Sequence, residues 1–225
     1  MSGNSATYAS DAIALTRTSL RASHVFALSL TGSPGAGKTR LLEETLRRLA
    51  GDFRTGVIVA NPKADRDIER LRALASFVAG IRSAELTAAQ VTDVLALRDL
   101  HGLDVLFIEA LGGIADRAPA DLGQDVRVAV FSVAAGDDKA AEFPRRVASA
   151  DLLLLNKADL LPHVEFDPQA FLADARRVNP TIKVIEVSAA QGAGLDEWEE
   201  WLRDAIRRHR PRDGSHTRPS ESFLG

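Results

Sequence analysis

Residues 24–51, HVFALSLTGSPGAGKTRLLEETLRRLAG, decide how this chain folds. His24–Thr31 is an apolar run of strand length, and the segment from Arg40 onward carries Leu41, Leu42, Leu46 and Leu49 at helical spacing before a glycine stop at Gly51. Between them stands Gly32-Ser33-Pro34-Gly35-Ala36-Gly37-Lys38-Thr39, which satisfies G-x-x-x-x-G-K-[ST] at every fixed position. Strand, glycine loop and helix open a βαβ unit. The glycines let the backbone curl so that successive N–H groups point at phosphate oxygens, and the helix turns its positive dipole end to the same anion. Lys38 then bridges the β- and γ-phosphates of a nucleotide, and the Thr39 hydroxyl binds Mg²⁺. The bland alternative, a glycine turn without a ligand, does not explain why the motif sits between a strand and a helix.

Outward from this stretch, the pattern repeats. Strands are expected at 56–61, 104–110, 126–133, 151–156 and 183–188, six in all with the first. Several are nearly continuous apolar runs, as in a sheet covered on both faces. Helices are expected from residue 64, over 87–102, over 168–178 and over 194–209, the last with Leu195, Trp198, Leu202 and Ile206 on one face. This alternation predicts an α/β fold with a doubly wound, mostly parallel sheet. A single P-loop domain is expected over 24–209. A flexible arm precedes it over 1–23, with a short helix from Asp11 to Leu20, and a disordered tail follows over 210–225.

Composition narrows the function classes. Net charge is −3, from 28 basic and 31 acidic residues, which gives no electrostatic reason for a nucleic-acid or membrane partner. There is no cysteine, hence no disulfide, thiolate metal site or cysteine nucleophile. The N-terminal stretch is polar, and no run approaches the ~18 apolar residues of a membrane span. A cytoplasmic soluble protein is the default expectation.

A second motif, Asn156-Lys157-Ala158-Asp159, directly follows the strand DLLLL. A carboxylate accepts two hydrogen bonds, and guanine offers two adjacent donors, its ring N–H and its exocyclic amine. Asp159 would thus select GTP over ATP. The Lys157 stem can lie over the base, Asn156 can tie this loop to the phosphate loop, and Ser188-Ala189 resembles the backbone segment that supports guanine from the other side. The alternative for Asp159 is a helix cap, which its place at a strand's C-terminal end disfavours.

The order of VAAGDDKAAEFP (133–144), ADLLLLNKADLLP (150–162), VNPTIKVIEVSA (178–189) and GAGLDEWEEWL (192–202) resembles the HypB family of nickel-incorporation GTPases in hydrogenase maturation, with the urease accessory GTPase UreG as a relative. The resemblance spans most of residues 24–205. It implies a SIMIBI-type G domain, slow Mg²⁺-dependent GTP hydrolysis, a GTP-dependent homodimer, and a role as metallochaperone beside a nickel chaperone and an apo-enzyme client.

Departures from the family pattern are specific. The family's Gly-Asp after the second strand reads Ala60-Asn61, so a neutral amide oxygen stands where an acid would help hold Mg²⁺; Asp67 and Arg70 still match downstream. The family's metal-binding Cys-His falls on Ala84-Glu85, and a further cysteine position is Asp116. Glu85 and Asp116 are hard oxygen donors, poorly matched to nickel or zinc. The five histidines, His24, His101, His163, His209 and His216, show no ligand spacing. No nickel or zinc site is therefore expected, and Mg²⁺ is assigned to Thr39, Asn61 and Glu109.

Glu109, at the end of the strand DVLFIE, occupies the place of the acid that holds an Mg²⁺-bound water or the attacking water; a strand-end carboxylate capping a turn is the alternative. Asp65 or Asp67 can assist if the loop after Asn61 closes on the γ-phosphate. Asp137, Asp138 and Lys139 form either a loop that reaches a neighbouring subunit's nucleotide or a solvated charged turn. Besides a GTPase that assists nickel incorporation into a nickel enzyme such as a [NiFe] hydrogenase, a GTP-gated interaction switch that no longer handles metal fits the same residues.

Overall fold

The computed structural model describes residues 2–62, 65–83, 85–112 and 118–209, with the side chains of 2–6, 65 and 66 excepted. Seven strands form its sheet: β1 (Phe26–Gly32), β2 (Thr55–Ala60), β3 (Phe77–Ile81), β4 (Val105–Leu111), β5 (Val126–Ser132), β6 (Leu152–Asn156) and β7 (Lys183–Val187). The helices are α1 (Ser2–Ala22), α2 (Lys38–Leu49), α3 (Asp65–Arg72), α4 (Ala88–Ala96), α5 (Lys139–Glu142), α6 (Pro144–Ala148), α7 (Pro168–Val178) and α8 (Leu195–His209). Strand order is β3-β2-β4-β1-β5-β6-β7, with every pairing parallel.

Strand alternation sorts the apolar side chains between the two faces. Phe26, Leu28, Leu30, Val105, Phe107, Val128, Val130, Leu152 and Leu154 share one cluster with Leu42 and Leu46 of α2 and Trp198 and Leu202 of α8. On the opposite face Ala27, Leu106 and Ile108 pack with Leu20 of α1 and Val91 and Leu95 of α4. Farther along that face Ala129, Phe131, Leu153 and Leu155 pack with Val147 of α6 and Phe171 of α7. Trp198 fixes α8 to α2 through a second contact, its indole N–H donating to Thr45 Oγ1 at 2.8 Å.

Three expectations need correction. The sheet has a seventh strand, β3, which the apolar pattern does not announce: only Val78 of its five residues is buried, because it is an edge strand paired with β2 alone. The helix expected over 87–102 ends at Ala96. Asp99 turns the chain there by accepting from the His101 N–H at 2.9 Å, while Leu100 and Leu103 go into the core. The supposed N-terminal arm is the 21-residue helix α1. Its Ala12, Thr16 and Leu20 are buried, Thr16 and Thr92 share a hydroxyl hydrogen bond at 2.8 Å, and Arg17 pairs with Asp121 at 2.7 Å. A four-residue spacing of these side chains produces that face. The expected tail over 210–225, with His216, lies outside the described residues, as do Ala84, Asp116 and the Asp65 side chain.

Leu20 tests whether α1 is part of the folded core. Leu20→Ala is expected to lower the unfolding free energy by about 2–4 kcal/mol in urea titrations; an unchanged midpoint would mean that α1 contributes no packing in solution.

Candidate functional site

Parallel sheets place ligand sites outside the carboxyl ends of their strands, where the order reverses. Here β1 is that point, with β4 on one side and β5 on the other. Three loops leave the ends of β1, β4 and β6 in this region.

The loop after β1 is shaped by its glycines. Gly35 and Gly37 have φ of 82° and 89°, the left-handed region that other residues resist. Gly37 also faces the loop after β6 so closely that a Cβ there would lie 2.4 Å from Asn156 Nδ2. Lys38 begins α2 and is buried; its ammonium donates to the carbonyls of Gly32 at 2.9 Å and Ser33 at 3.1 Å. Ser33, Pro34, Gly35 and Ala36 line a cleft whose far wall includes Ser132, Lys139 and Lys157.

At the end of β4, Glu109 is buried and accepts from Thr39 Oγ1 through Oε1 at 2.8 Å. Its Oε2 is also buried and has no hydrogen-bond partner among the described residues. Burial pushes the Glu109 carboxyl above its ordinary range; Thr39 and Lys38 oppose the shift, and the nearby charge of Asp67 adds to it. Asp67 itself is paired with Arg70 at 2.5 Å. Asn61 does not join this group: it is exposed at the end of β2 with φ 48°, and its N–H donates to Ile81 O at 2.7 Å. Among the described residues no hydrogen bond links its side chain to Thr39 or Glu109.

The loop after β6 is bound to both its neighbours through Asn156, which is 1% exposed. Its Nδ2 donates to Ala36 O at 2.9 Å, and its Oδ1 accepts from the Ala189 N–H at 3.1 Å. Lys157 takes the left-handed conformation (φ 63°) that turns the chain toward Asp159. Ser188 Oγ donates to Asp159 Oδ1 at 2.5 Å and accepts from the Gln191 N–H at 3.0 Å. Arg40 adds a tie from α2, its Nε donating to Ala189 O at 3.3 Å. The structure thus brings together the loop residues Gly32–Thr39, Glu109, Asn156, Lys157, Asp159, Ser188 and Ala189, and leaves Asn61 apart.

Of the charged turn after β5, Asp137 accepts from the Asp167 N–H at 2.9 Å, while Lys139 pairs with Asp138 and Glu142. Two site-shaping residues escaped the sequence reading. Arg40 follows the glycine motif but belongs to no pattern, and Arg146 lies in a short helix 113 residues from the loop it touches. Neither carried a local signal. Among the described residues no group of three or more His, Cys, Asp or Glu side chains could hold a metal ion.

The model of the CobW/HypB/UreG nucleotide-binding domain matches residues 26–186. The chain belongs to this family. It is 42% identical over 191 residues to hydrogenase maturation factor HypB of Azotobacter chroococcum, covering 83% of this chain and 62% of that protein. To HypB of Escherichia coli it is 40% identical over 178 residues, covering 78% and 61%. The chain therefore spans about three fifths of the length of these relatives. Hydrogenase maturation factor HypB from Archaeoglobus fulgidus superposes with a TM-score of 0.82 at 30% identity, over 89% of this chain and 99% of that one. HypB from Helicobacter pylori in complex with nickel, at 23% identity and TM-score 0.81 over 92% of this chain and 100% of that one, shares the fold. The fold is that of the P-loop NTPases, in its doubly wound, parallel form.

Glu109 gives a pH prediction for this family member. A carboxyl with a raised folded-state pKa binds its proton more tightly in the folded chain than in the unfolded one. The associated stability is present below the ordinary carboxylate range and is lost as pH rises from there through the raised value. In nucleotide-free protein, Glu109→Gln should abolish that loss, so its stability gain over wild type grows with pH across this window. Parallel urea–pH curves for the two proteins would contradict it.

Proposed function

We propose that this chain is a GTP-binding protein that hydrolyses GTP slowly with Mg²⁺ and assists nickel incorporation into a nickel enzyme, a [NiFe] hydrogenase in the first place. The observation that carries the nucleotide reading is the Asn156–Asp159–Ser188 arrangement, in which one buried amide joins the phosphate loop to the loop that orients Asp159. Asp159 is an acceptor-only group, matched to the two adjacent donors of guanine and mismatched to adenine. The hydrogenase-maturation reading is supported by the 42% and 40% identity to HypB factors.

The roles then follow. Backbone N–H groups of Gly35–Gly37 and the start of α2 bind phosphate oxygens, and Lys38 exchanges two carbonyls for the β- and γ-phosphates. The Lys157 stem covers the base and Ser188-Ala189 backs it. Thr39 and Glu109 fit a hard dication: two oxygens already meet there, and the buried Glu109 Oε2 has no hydrogen-bond partner among the described residues. When bound, Mg²⁺ supplies positive charge at the phosphate oxygens. Glu109 holds and orients a water at Oε2. Asn61, exposed just past the end of β2, stands apart from this pair and is left out of the ion site. A GTP-dependent homodimer using the Asp137–Lys139 turn, a nickel chaperone and an apo-enzyme as partners, and a cytoplasmic location belong to the same reading. No helix among the described residues is long and apolar enough to cross a membrane.

Asp159→Asn tests the base site. It replaces an acceptor by a donor facing the guanine amine, and GTP affinity is expected to fall about 10- to 100-fold, the worth of a charge-assisted hydrogen bond. Xanthosine triphosphate, which carries a carbonyl in place of the amine, should gain relative to GTP. Fluorescence titration with both nucleotides reads the exchange; equal GTP binding by variant and wild type would remove Asp159 from the base site.

A second reading is favoured by the ligand chemistry: a GTP-gated interaction switch that does not handle metal. The chain has no cysteine, and no acidic or histidine cluster suited to a metal stands among the described residues. Calorimetric titration with Ni²⁺, with and without GTP and Mg²⁺, separates the two. Absence of uptake in both states is the expected result of the switch reading; tight Ni²⁺ binding in the GTP-bound protein would sink it and support metal delivery.

A further inference from the structure

Arg146 of α6 is a cation that the nucleotide motifs do not include. It is 2% exposed. Its Nη1 donates to Ser33 Oγ at 3.1 Å, in the phosphate loop, and its Nε donates to Gly112 O at 3.0 Å, just beyond β4. The guanidinium carbon lies 4.1 Å from the ring centroid of Phe143 and 5.5 Å from that of Phe131. The fit leaves no space for a side chain at Gly112, where a Cβ would stand 2.5 Å from Arg146 Nε. Burial lowers the Arg146 pKa to about 10, so the group remains cationic at neutral pH.

These contacts close a circuit. The Gly112 N–H donates to Gly32 O at 3.1 Å, and the same Gly32 carbonyl accepts from Lys38 Nζ at 2.9 Å. Lys38 also holds Ser33 O at 3.1 Å. Arg146 and Lys38 therefore grip the same two-residue start of the phosphate loop, Arg146 through a side-chain oxygen and Lys38 through the carbonyls. Gly112 is three residues beyond Glu109 on the segment that leaves β4. If Lys38 turns to phosphate, Gly32 and Ser33 lose its charge. The fork of Arg146 and the Gly112 N–H are then what keeps the loop and the β4 end in register. A guanidinium suits that task because its donors are coplanar and fixed in angle.

We propose that Arg146 is a positioning residue for triphosphate recognition, holding Ser33 and the segment at Gly112 in the relation that a third phosphate requires. This rests on the guanine-nucleotide reading above and adds the residue that distinguishes GTP from GDP. A diphosphate is satisfied by the loop N–H groups, Lys38 and the start of α2. A terminal phosphate extends beyond these groups, and we place it toward the segment at Gly112, whose N–H already meets Gly32 O at the start of the loop. Holding that segment in its competent position raises affinity for the triphosphate and leaves the diphosphate nearly unaffected, because only the former draws on that population.

The test uses the full chain and titrates labelled GDP and a non-hydrolysable GTP analogue, with Mg²⁺, against wild type, Arg146→Gln, Arg146→Lys, Ser33→Ala and the Arg146→Gln/Ser33→Ala double variant. Arg146→Gln is expected to lower the triphosphate-to-diphosphate affinity ratio about tenfold, the scale of a tenth-populated competent state. Ser33→Ala should lower the ratio by less, and should add nothing in the double variant. Arg146→Lys should not restore it, since one ammonium cannot reproduce the two-pronged contact. Should Arg146→Gln fail to fold, Ser33→Ala, which removes only the acceptor oxygen, still decides. Equal weakening of both nucleotides, or an unchanged ratio, would reduce Arg146 to a packing residue and overturn the inference. Wild-type protein that binds neither nucleotide would instead overturn the guanine-nucleotide reading beneath it.

Discussion

The arrangement of this site depends on one side-chain amide. Asn156 uses both of its ends, donating to Ala36 in the phosphate loop and accepting from Ala189 in the loop after β7. Because these partners come from opposite directions, the amide fixes the separation of two loops that share no sequence neighbourhood. Its own place is set by the sheet: Asn156 pairs with Ser132 on one side and Val187 on the other. A one-residue slip of β6 would turn Asn156 to the opposite face and exchange its neighbours for core residues. Sheet register is thus a functional constraint here as well as a stability term. Gly37 answers the same constraint, since any side chain there would occupy the space of the Asn156 amide.

Around this tie the site gathers charge that a core would reject. Glu109 is buried with one oxygen unpartnered among the described residues, and Arg146 is buried against two rings and two neutral oxygens. Taking charged groups out of water costs free energy. The opposing contribution comes from elsewhere: the alternate faces of β1, β4, β5 and β6 are almost wholly apolar and lie at or near zero exposure. Fully buried aliphatic side chains each contribute about 1.5–3 kcal/mol. The strongly stabilised middle of the sheet therefore carries loops whose local preferences are poor, including left-handed Lys157 and Asn61.

How much of this was legible in the sequence varied with the range of the signal. The glycine motif and the Asn156–Asp159 motif are local, and their chemistry dictates their spacing, so both could be read directly. Buried strands announce themselves as apolar runs, which is why β1, β4, β5 and β6 were visible. The edge strand β3 was not, since a strand covered on few sides has no need of such a run; only Val78 is buried. Helix α1 hid for a related reason. Its buried face is built from Ala12, Thr16 and Leu20, two of them small, so its amphipathic character is weak although its packing is close. Arg146 is the extreme case: its role exists only because the chain returns 113 residues later to Ser33, and no window of sequence contains both.

The same geometry explains why a member of this family can depart from its relatives' pattern at the metal positions and keep the nucleotide loops in order. Asn156, Glu109 and the phosphate loop are rooted in β6, β4 and β1, the interior of the sheet. Glu85, which stands where the family resemblance puts a soft ligand, is exposed in the connection between the edge strand β3 and α4. Changes in an exposed edge connection seldom disturb a close-packed interior, whereas a one-methylene change inside the sheet is felt by every neighbour. Ligand chemistry at the edge and nucleotide geometry at the centre are therefore free to diverge separately. The proposed reading in which this chain does not handle metal thus makes no structural demand on the loops around Asn156 and Glu109.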